Sequence, residues 1–271
     1  MSRGFIEATL RGLTAAVSKA LVSEKAASQP GLLQTVDPRV RVLGLFTLVA
    51  AVVLSRRISV IAGLFAIAVF LAIASRVQVV VLAKRVWLII FGFSGLMALP
   101  AVFVTPGQPI FRMPLLPLSI TAQGLRGAAR LVLRTETAAT LTAVLALSTS
   151  WSHLLKALRS LHLPAEVVTM LAMTHRYVFL LVETAGQMFE SRQSRTVGAL
   201  RGREQRRMAA RTAGVLLTKS IELSHQVFLA MRSRGFRGEV PLLKDLRMKA
   251  RDYLGLMIVV LAAAVAVWIG R

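Results

Sequence analysis

The sequence has no cysteine among its 271 residues and few carboxylates, with 12 Asp and Glu against 34 Lys and Arg. The absence of cysteine excludes disulfides and thiolate metal sites. The chain also lacks a GxxxxGK[ST] loop and an HExxH motif, so we expect no P-loop nucleotide site and no cofactor. Four scattered histidines are more typical of polar helix surfaces than of metal ligands, namely His153, His162, His175 and His225.

The residues that are present combine strong apolarity with strong positive charge. Hydrophobic residues make up 55% of the chain, and the formal net charge is +22. This combination predicts a membrane protein with basic cytoplasmic segments. A nucleic-acid binder also carries basic charge, but it has no use for repeated long apolar runs. We therefore expect no nucleic-acid partner and a multi-pass location in the cell (inner) membrane.

The apolar runs divide the chain into segments and predict an all-α fold with about four to six transmembrane helices. Residues 1–38 are expected to be an amphipathic or mobile segment, since they lack the uninterrupted apolar core of a secretory signal. Residues 39–184 are expected to form a membrane domain that includes an amphipathic surface helix at 150–163. The interval 185–252, with 15 Lys and Arg against 6 Asp and Glu, is expected to be a folded cytoplasmic module. Residues 253–271 are expected to form a last transmembrane helix.

Charged side chains also occur within the apolar helices. Arg126, Arg130 and Arg134 recur every fourth residue and share one helical face, with Glu136 just beyond. This arginine stripe is either a snorkelling interfacial face or a charged seam against a partner subunit. Further along, Arg176 and Glu183 lie in the apolar half of a segment of about thirty residues without proline, where a lipid-facing position is expensive. We treat Arg134, Glu136, Arg176 and Glu183 as candidate interface or coupling residues.

The stretch "AMRSRGFRG" predicts a helix that stops at Gly235, because glycine adopts the left-handed conformation at a helix C-terminus without penalty. Arginines before this glycine lie in the last turn, where the helix dipole favours cations. Met231 and Phe236 add apolar character, so the helix end is either a solvated cap or a tip that docks in another protein.

The same stretch resembles the Ala-Arg-Gly signature of the transmembrane T components of energy-coupling-factor transporters, a class of ABC importers. The resemblance extends upstream through "SHLLKALRSLHLPAEVVTMLAMTHRYVFLLVETAGQM" and "VDPRVRVLGLF" to the cobalt/nickel subgroup. It implies two cytoplasmic coupling helices, each of which docks an arginine end in one of two ATPase subunits. One end maps to Ser233, Arg234 and Gly235. The other maps to Ser194, Arg195 and Thr196, where threonine replaces glycine and Gly198 follows.

The resemblance implies a coupling subunit without enzymatic activity, in which ATP hydrolysis belongs to separate ATPases and substrate capture to another membrane subunit. Cobalt or nickel is the expected substrate, and a vitamin such as biotin is the alternative. Two other classes stay open from the residues themselves. A membrane-anchored scaffold would bind acidic partners through the basic segment, and an integral membrane enzyme would depend on Glu136, His175 or Glu183.

Overall fold

A computed structural model of the chain describes residues 33–77, 82–105, 109–112, 119–195, 202–236 and 250–271, together with residues 12, 15 and 31. It is built almost wholly of helices, which confirms the all-α fold predicted from the sequence. The described α-helices are α1 (Pro38–Leu54), α2 (Ile58–Ala74), α3 (Leu88–Val104), α4 (Ala122–Ser148), α5 (Trp151–Ser160), α6 (Ala165–Ser194), α7 (Gly202–Ser233) and α8 (Ala250–Gly270).

Four shorter elements complete the described structure. A 3-10 turn, Leu33–Thr35, precedes α1, and a π-helical turn, Ala83–Trp87, leads into α3. Between α3 and α4, strands β1 (Pro109–Arg112) and β2 (Ser119–Thr121) pair antiparallel. The sequence did not predict this small ladder. Most of the expected N-terminal segment lies outside the described residues.

Membrane-spanning potential is present in several of these helices. By length and composition, three described helices are long and apolar enough to cross a membrane, namely α4, most of α6 (Ala165–Arg192) and α8. Two shorter apolar helices are Ile58–Ala74 and Leu88–Phe103. These helices agree with a polytopic membrane protein.

The chain forms two compact units. The first, which we call the core unit, comprises Ala26–Ala157 and Leu246–Arg271. The second includes Leu158–Asp245, and we call it the α6–α7 unit after its two described helices. Helix α5, at the place expected for the amphipathic surface helix, ends just beyond the boundary between the two units.

Helix α4 is the central element of the core unit and packs against α1, α2 and α3. Val52, Ile61 and Leu141, from α1, α2 and α4, are at most 1% exposed and form the centre of the apolar core. Gly124 lets the first turn of α4 approach α3 closely, because a Cβ there would lie 2.8 Å from the carbonyl oxygens of Ala101 and Val102. Close backbone packing between α3 and α4 therefore accompanies the apolar packing in the core unit.

Candidate functional site

The two expected coupling helices correspond to α6 and α7, both in the α6–α7 unit. Each is long because no proline interrupts it, and each carries an acidic residue in its first turn and a basic residue in its last. This charge arrangement complements the helix dipole at both ends. With 30 and 32 residues, the two helices are each about 45–48 Å long.

The C-terminal end of α7 is closed by a Schellman motif. Gly235 has a φ angle of +81°. Its N–H donates to the carbonyl oxygen of Arg232 over 3.0 Å, and the N–H of Phe236 donates to that of Met231 over 3.0 Å. Both bonds satisfy carbonyl groups that the helix itself leaves unpaired. The predicted termination of the helix at Gly235 is confirmed.

At this end of α7 the polar side chains are exposed and the apolar side chains are half-buried. Arg234, directly before the glycine, is exposed, as is Ser233. Arg232 stacks over the ring of Phe228 at 5.9 Å, so one of the two described arginines at the tip is already engaged within the helix. Met231 and Phe236 are half-buried. The tip therefore presents the Arg234 guanidinium to the surroundings on a rigid, capped backbone.

The apolar side of the tip belongs to a groove between α6 and α7 with a volume of about 580 Å³. Met231 and Phe236 line it from the end of α7, and Glu166, Met170 and Met173 line it from the start of α6. The first half of one helix thus faces the last half of the other. We conclude that the two helices run antiparallel along the groove.

The first of the two motifs expected to dock lies at the C-terminal end of α6. Ser194 is the last residue of the helix, and its Oγ donates to the carbonyl oxygen of Ser191 over 2.9 Å. Arg195 follows in a turn, where its N–H donates to the carbonyl oxygen of Arg192 over 3.2 Å. Both Ser194 and Arg195 are exposed. Thr196 and Gly198 lie outside the described residues.

The two arginine ends are far apart along α6. Arg195 lies 29 positions after Glu166 in the sequence, which corresponds to about 43 Å of helix. Glu166 lines the same groove as Phe236, two residues past Arg234. Arg195 and Arg234 therefore lie near opposite ends of the α6–α7 pair.

Arg176 and Glu183 of α6 are both exposed. The Arg176 guanidinium lies 5.8 Å from the centre of the Tyr177 ring. Little of the most apolar part of α6 is buried. Among its large apolar side chains, Met170, Val178 and Leu180 have 43–68% of their surface exposed. This side of α6 therefore needs a covering of lipid or protein.

The other two candidate coupling residues lie in the core unit. Arg134, in α4, donates from Nη2 to the Ser55 carbonyl oxygen over 2.6 Å. Glu136 is only 6% exposed, and neither of its carboxylate oxygens has a hydrogen-bond partner among the described residues. Neither residue is in the same unit as the arginine tips.

A buried arginine with a structural role was missed by the sequence reasoning. Arg41, only 5% exposed, donates to the carbonyl oxygens of Gln34, Val36 and Ser148. Beside it, Asp37 caps α1 and its N–H donates to Oδ1 of Asp252 in α8 over 3.2 Å. The stretch "VDPRV" contributes to the family resemblance, which by itself predicts no structural role for Arg41. The sequence signal for these contacts is the charged pair Asp37 and Arg41 at the start of an apolar run.

No group of three or more His, Asp or Glu side chains close enough to hold a metal ion occurs in the part of the chain that the structure describes. The candidate functional features of the described residues are the two exposed arginine ends, at Arg195 and Arg234, and the groove between α6 and α7 beside Arg234.

Comparisons with known proteins give one family and several relatives. The sequence model of the family described as "CbiQ: Cobalt transport protein" matches residues 30–243. An uncharacterized protein of Methanocaldococcus jannaschii is 29% identical, over all of this chain and 94% of that protein. The cobalt transport protein CbiQ of Rhodobacter capsulatus is 28% identical, over 64% of this chain and 72% of that protein. The energy-coupling factor transporter transmembrane protein EcfT of Listeria innocua is 26% identical, over 76% and 81% respectively.

Proposed function

Because the chain belongs to the CbiQ family of cobalt transport proteins, we propose that it is the transmembrane coupling subunit, or T component, of an energy-coupling-factor importer for cobalt or nickel ions. Similarity to a cobalt transport protein and to an EcfT protein supports this assignment. Several described helices are apolar enough to span a bilayer, as such a subunit requires. The function is that of a transporter part and not of an enzyme.

The observation that carries the proposal is the pair of exposed arginine ends on α6 and α7. Arg195 and Arg234 each follow the last residue of a long helix, and both are exposed. Guanidinium groups suit planar recognition of carboxylates and backbone carbonyls in a partner's groove. Two ABC ATPase subunits, each with one such groove, would then bind one arginine end each. Ser194, Thr196, Ser233 and Gly235 would complete the two docking motifs.

Force would be transmitted along the helices because both are long and uninterrupted. When ATP closes the two ATPases, their grooves approach each other and carry the two arginine ends with them. The antiparallel pair would respond by a change in the angle between α6 and α7. The movement would reach the substrate-capture membrane subunit, which contributes the substrate site. Arg134, Glu136, Arg176 and Glu183 are proposed as interface or coupling residues in this transmission.

The exposed apolar surface of α6 supports a protein partner on this unit. Arg176 and Glu183 interrupt that surface, and ionisable groups next to apolar helix surfaces at membrane depth are usually covered by protein. Met231 and Phe236 line the neighbouring groove, whose apolar surface suits contact with a protein partner as well. The substrate-capture subunit is the partner proposed for this face.

The coupling module is proposed to face the cytoplasm, where the ATPases are found. Its segment 185–252 carries 15 Lys and Arg, and positively charged segments remain on the cytoplasmic side of a membrane. The remainder is proposed to divide into a membrane domain at 39–184, with its surface helix, and a last transmembrane helix at 253–271.

Substrate identity is tested by reconstitution of the whole importer. The full chain would be co-expressed with an ABC ATPase and one candidate capture subunit, in cells that lack their own cobalt, nickel and biotin uptake. Radiolabelled cobalt, nickel and biotin would be offered separately. The proposal predicts ATP-dependent cobalt or nickel uptake that requires this chain. Uptake of biotin alone would instead make it the T component of a vitamin importer, and no assembly with any ATPase would contradict the coupling function.

A further inference from the structure

Five arginines gather at one end of the core unit, around the connection between α1 and α2. Arg56 and Arg57 follow Ser55 in that connection, and Arg134 donates to the Ser55 carbonyl oxygen. Arg130 and Arg126 lie one and two turns from Arg134 on the same face of α4, so the three span about 12 Å. We call these five residues the Ser55 arginine cluster.

Few Asp or Glu side chains are present in the core unit to compensate this cluster. The sequence contains no Asp or Glu between Asp37 and Glu136. Glu136 is buried and has no hydrogen-bond partner among the described residues. Asp37 and Asp252 meet at the other end of α1, about 25 Å away along a helix of 17 residues. The cluster therefore presents concentrated positive charge, which attracts anions.

Donor groups in the cluster remain available. Arg56, Arg57 and Arg126 are exposed. Arg130 and Arg134 are half-buried, and their Nε atoms are buried, so the available donors are those of the three exposed arginines. A guanidinium fork binds phosphate oxygens through two parallel hydrogen bonds, so the free donors match that geometry.

Large apolar side chains surround the cluster. Leu125 and Leu131, which neighbour Arg126 and Arg130 in α4, are 50% and 47% exposed. The carbonyl oxygen of Gly270 accepts hydrogen bonds from the N–H groups of Arg56 and Arg57, over 2.7 and 3.3 Å. This contact brings the end of α8 to the cluster, and with it Trp268, which is 82% exposed. Tryptophan is enriched at the membrane–water interface, and exposed leucine suits contact with acyl chains.

We propose that the Ser55 arginine cluster binds the phosphate of an anionic glycerophospholipid, with Trp268 and the neighbouring leucines against its acyl chains. A lipid satisfies both parts of the surface, since the headgroup neutralises the guanidinium groups and the chains cover the apolar residues. Free phosphate leaves the leucines and the tryptophan exposed. A soluble acidic protein would need an apolar patch of matching position, which charge alone does not supply.

The proposal is tested on the full chain, purified in a neutral detergent, by native mass spectrometry during titration with phosphatidylglycerol or phosphatidylcholine. We expect phosphatidylglycerol to bind at least about 25-fold more tightly, since each arginine near an anionic surface contributes about fivefold and Arg126 and Arg130 alone supply two such factors. Arg126→Gln with Arg130→Gln should remove most of this preference and leave the Arg134–Ser55 contact intact. Millimolar inorganic phosphate should not displace the lipid.

A matched control changes the same amount of charge elsewhere in the core unit. Arg76 and Arg251 are exposed and lie toward the opposite end, so Arg76→Gln with Arg251→Gln should keep the preference for phosphatidylglycerol. The charge-preserving pair Arg126→Lys and Arg130→Lys should also keep most of it, which separates loss of charge from loss of folding. Equal binding of the two lipids by the unaltered chain overturns the proposal, as does an undiminished preference in the glutamine pair.

Discussion

Arg134 and Ser55 are 79 positions apart, and the Nη2 group of the arginine donates to the serine carbonyl oxygen over 2.6 Å. The contact joins the middle of α4 to the connection between α1 and α2. Gly270 reaches the same serine, because a Cβ at that glycine would lie 2.8 Å from the serine Oγ. The buried residue Ser55 thus contacts both α4 and α8 from the connection between α1 and α2.

Substitution of Arg134 by alanine should lower the stability of the core unit. The change leaves the carbonyl oxygen of Ser55, a residue that is 0% exposed, without this donor, and an unpaired buried acceptor costs about 1–3 kcal/mol. Thermal unfolding in detergent measures the effect. Arg126→Ala, on the same face but exposed, should change the free energy of unfolding by less than about 0.5 kcal/mol. Equal losses in the two variants would show that the Ser55 contact contributes nothing of its own.

Substitution of Arg41 should have a larger effect. Its side chain donates to three backbone carbonyl oxygens, those of Gln34, Val36 and Ser148. Alanine would leave several of these acceptors unpaired, at a cost of about 1–3 kcal/mol for each. We expect Arg41→Ala to fail to purify as a folded species, and Arg41→Lys to purify with a lowered melting temperature because one ammonium group cannot replace the whole guanidinium. An alanine variant that melts with the unaltered chain contradicts this role.

Two glycines in α4 should respond differently to alanine. At Gly124 the new methyl group would lie 2.8 Å from two backbone carbonyl oxygens of α3, whereas at Gly127 it would meet nothing within 4 Å. Gly124→Ala should therefore destabilise the core unit by about 1–3 kcal/mol, as overpacking does. Gly127→Ala should be neutral or stabilise it by about 0.5–1 kcal/mol through helix propensity. The two melting temperatures, measured side by side in one detergent, distinguish close packing from propensity.

A second glycine pair tests the cap of α7. Gly235 has a φ angle of +81°, where alanine is strained by about 1–2 kcal/mol, although its Cβ would meet nothing within 4 Å. Gly214, inside the same helix and equally open, should gain about 0.5–1 kcal/mol on substitution by alanine. Protection of the amides of Gly235 and Phe236 from hydrogen exchange should fall only in the Gly235 variant. A Gly235→Ala chain with unchanged protection would remove the argument for a rigid tip.

Local features of this chain could be predicted from the sequence, and long-range contacts could not. The cap at Gly235 was predictable because left-handed backbone and glycine go together within one turn. The apolar runs predicted helices because their length matches a bilayer. The partners of Arg41 and Arg134, by contrast, lie up to 107 and 79 positions away, and no spacing rule connects residues so far apart.

The relation between the two arginine ends also required the structure. The sequence gives each end separately, as Ser-Arg after a long helix, but it does not state which halves of α6 and α7 face each other. The groove supplies that information, because residues from the start of one helix and the end of the other line it together. The ladder between β1 and β2 is not predictable in the same way, because a proline such as Pro109 excludes a regular helix but does not identify a strand partner.

The coupling function is tested most directly by co-purification of the ATPase subunits with arginine variants of the full chain. Arg234→Ala and Arg195→Glu should each lose ATPase, since truncation of a charge at a desolvated interface costs about 2–5 kcal/mol, or at least about thirtyfold in affinity. Arg211→Ala, an exposed arginine within α7, is the matched control and should retain both ATPase copies. Full retention of the ATPases by both tip variants, with uptake at the unaltered rate, would contradict the docking of these two arginine ends.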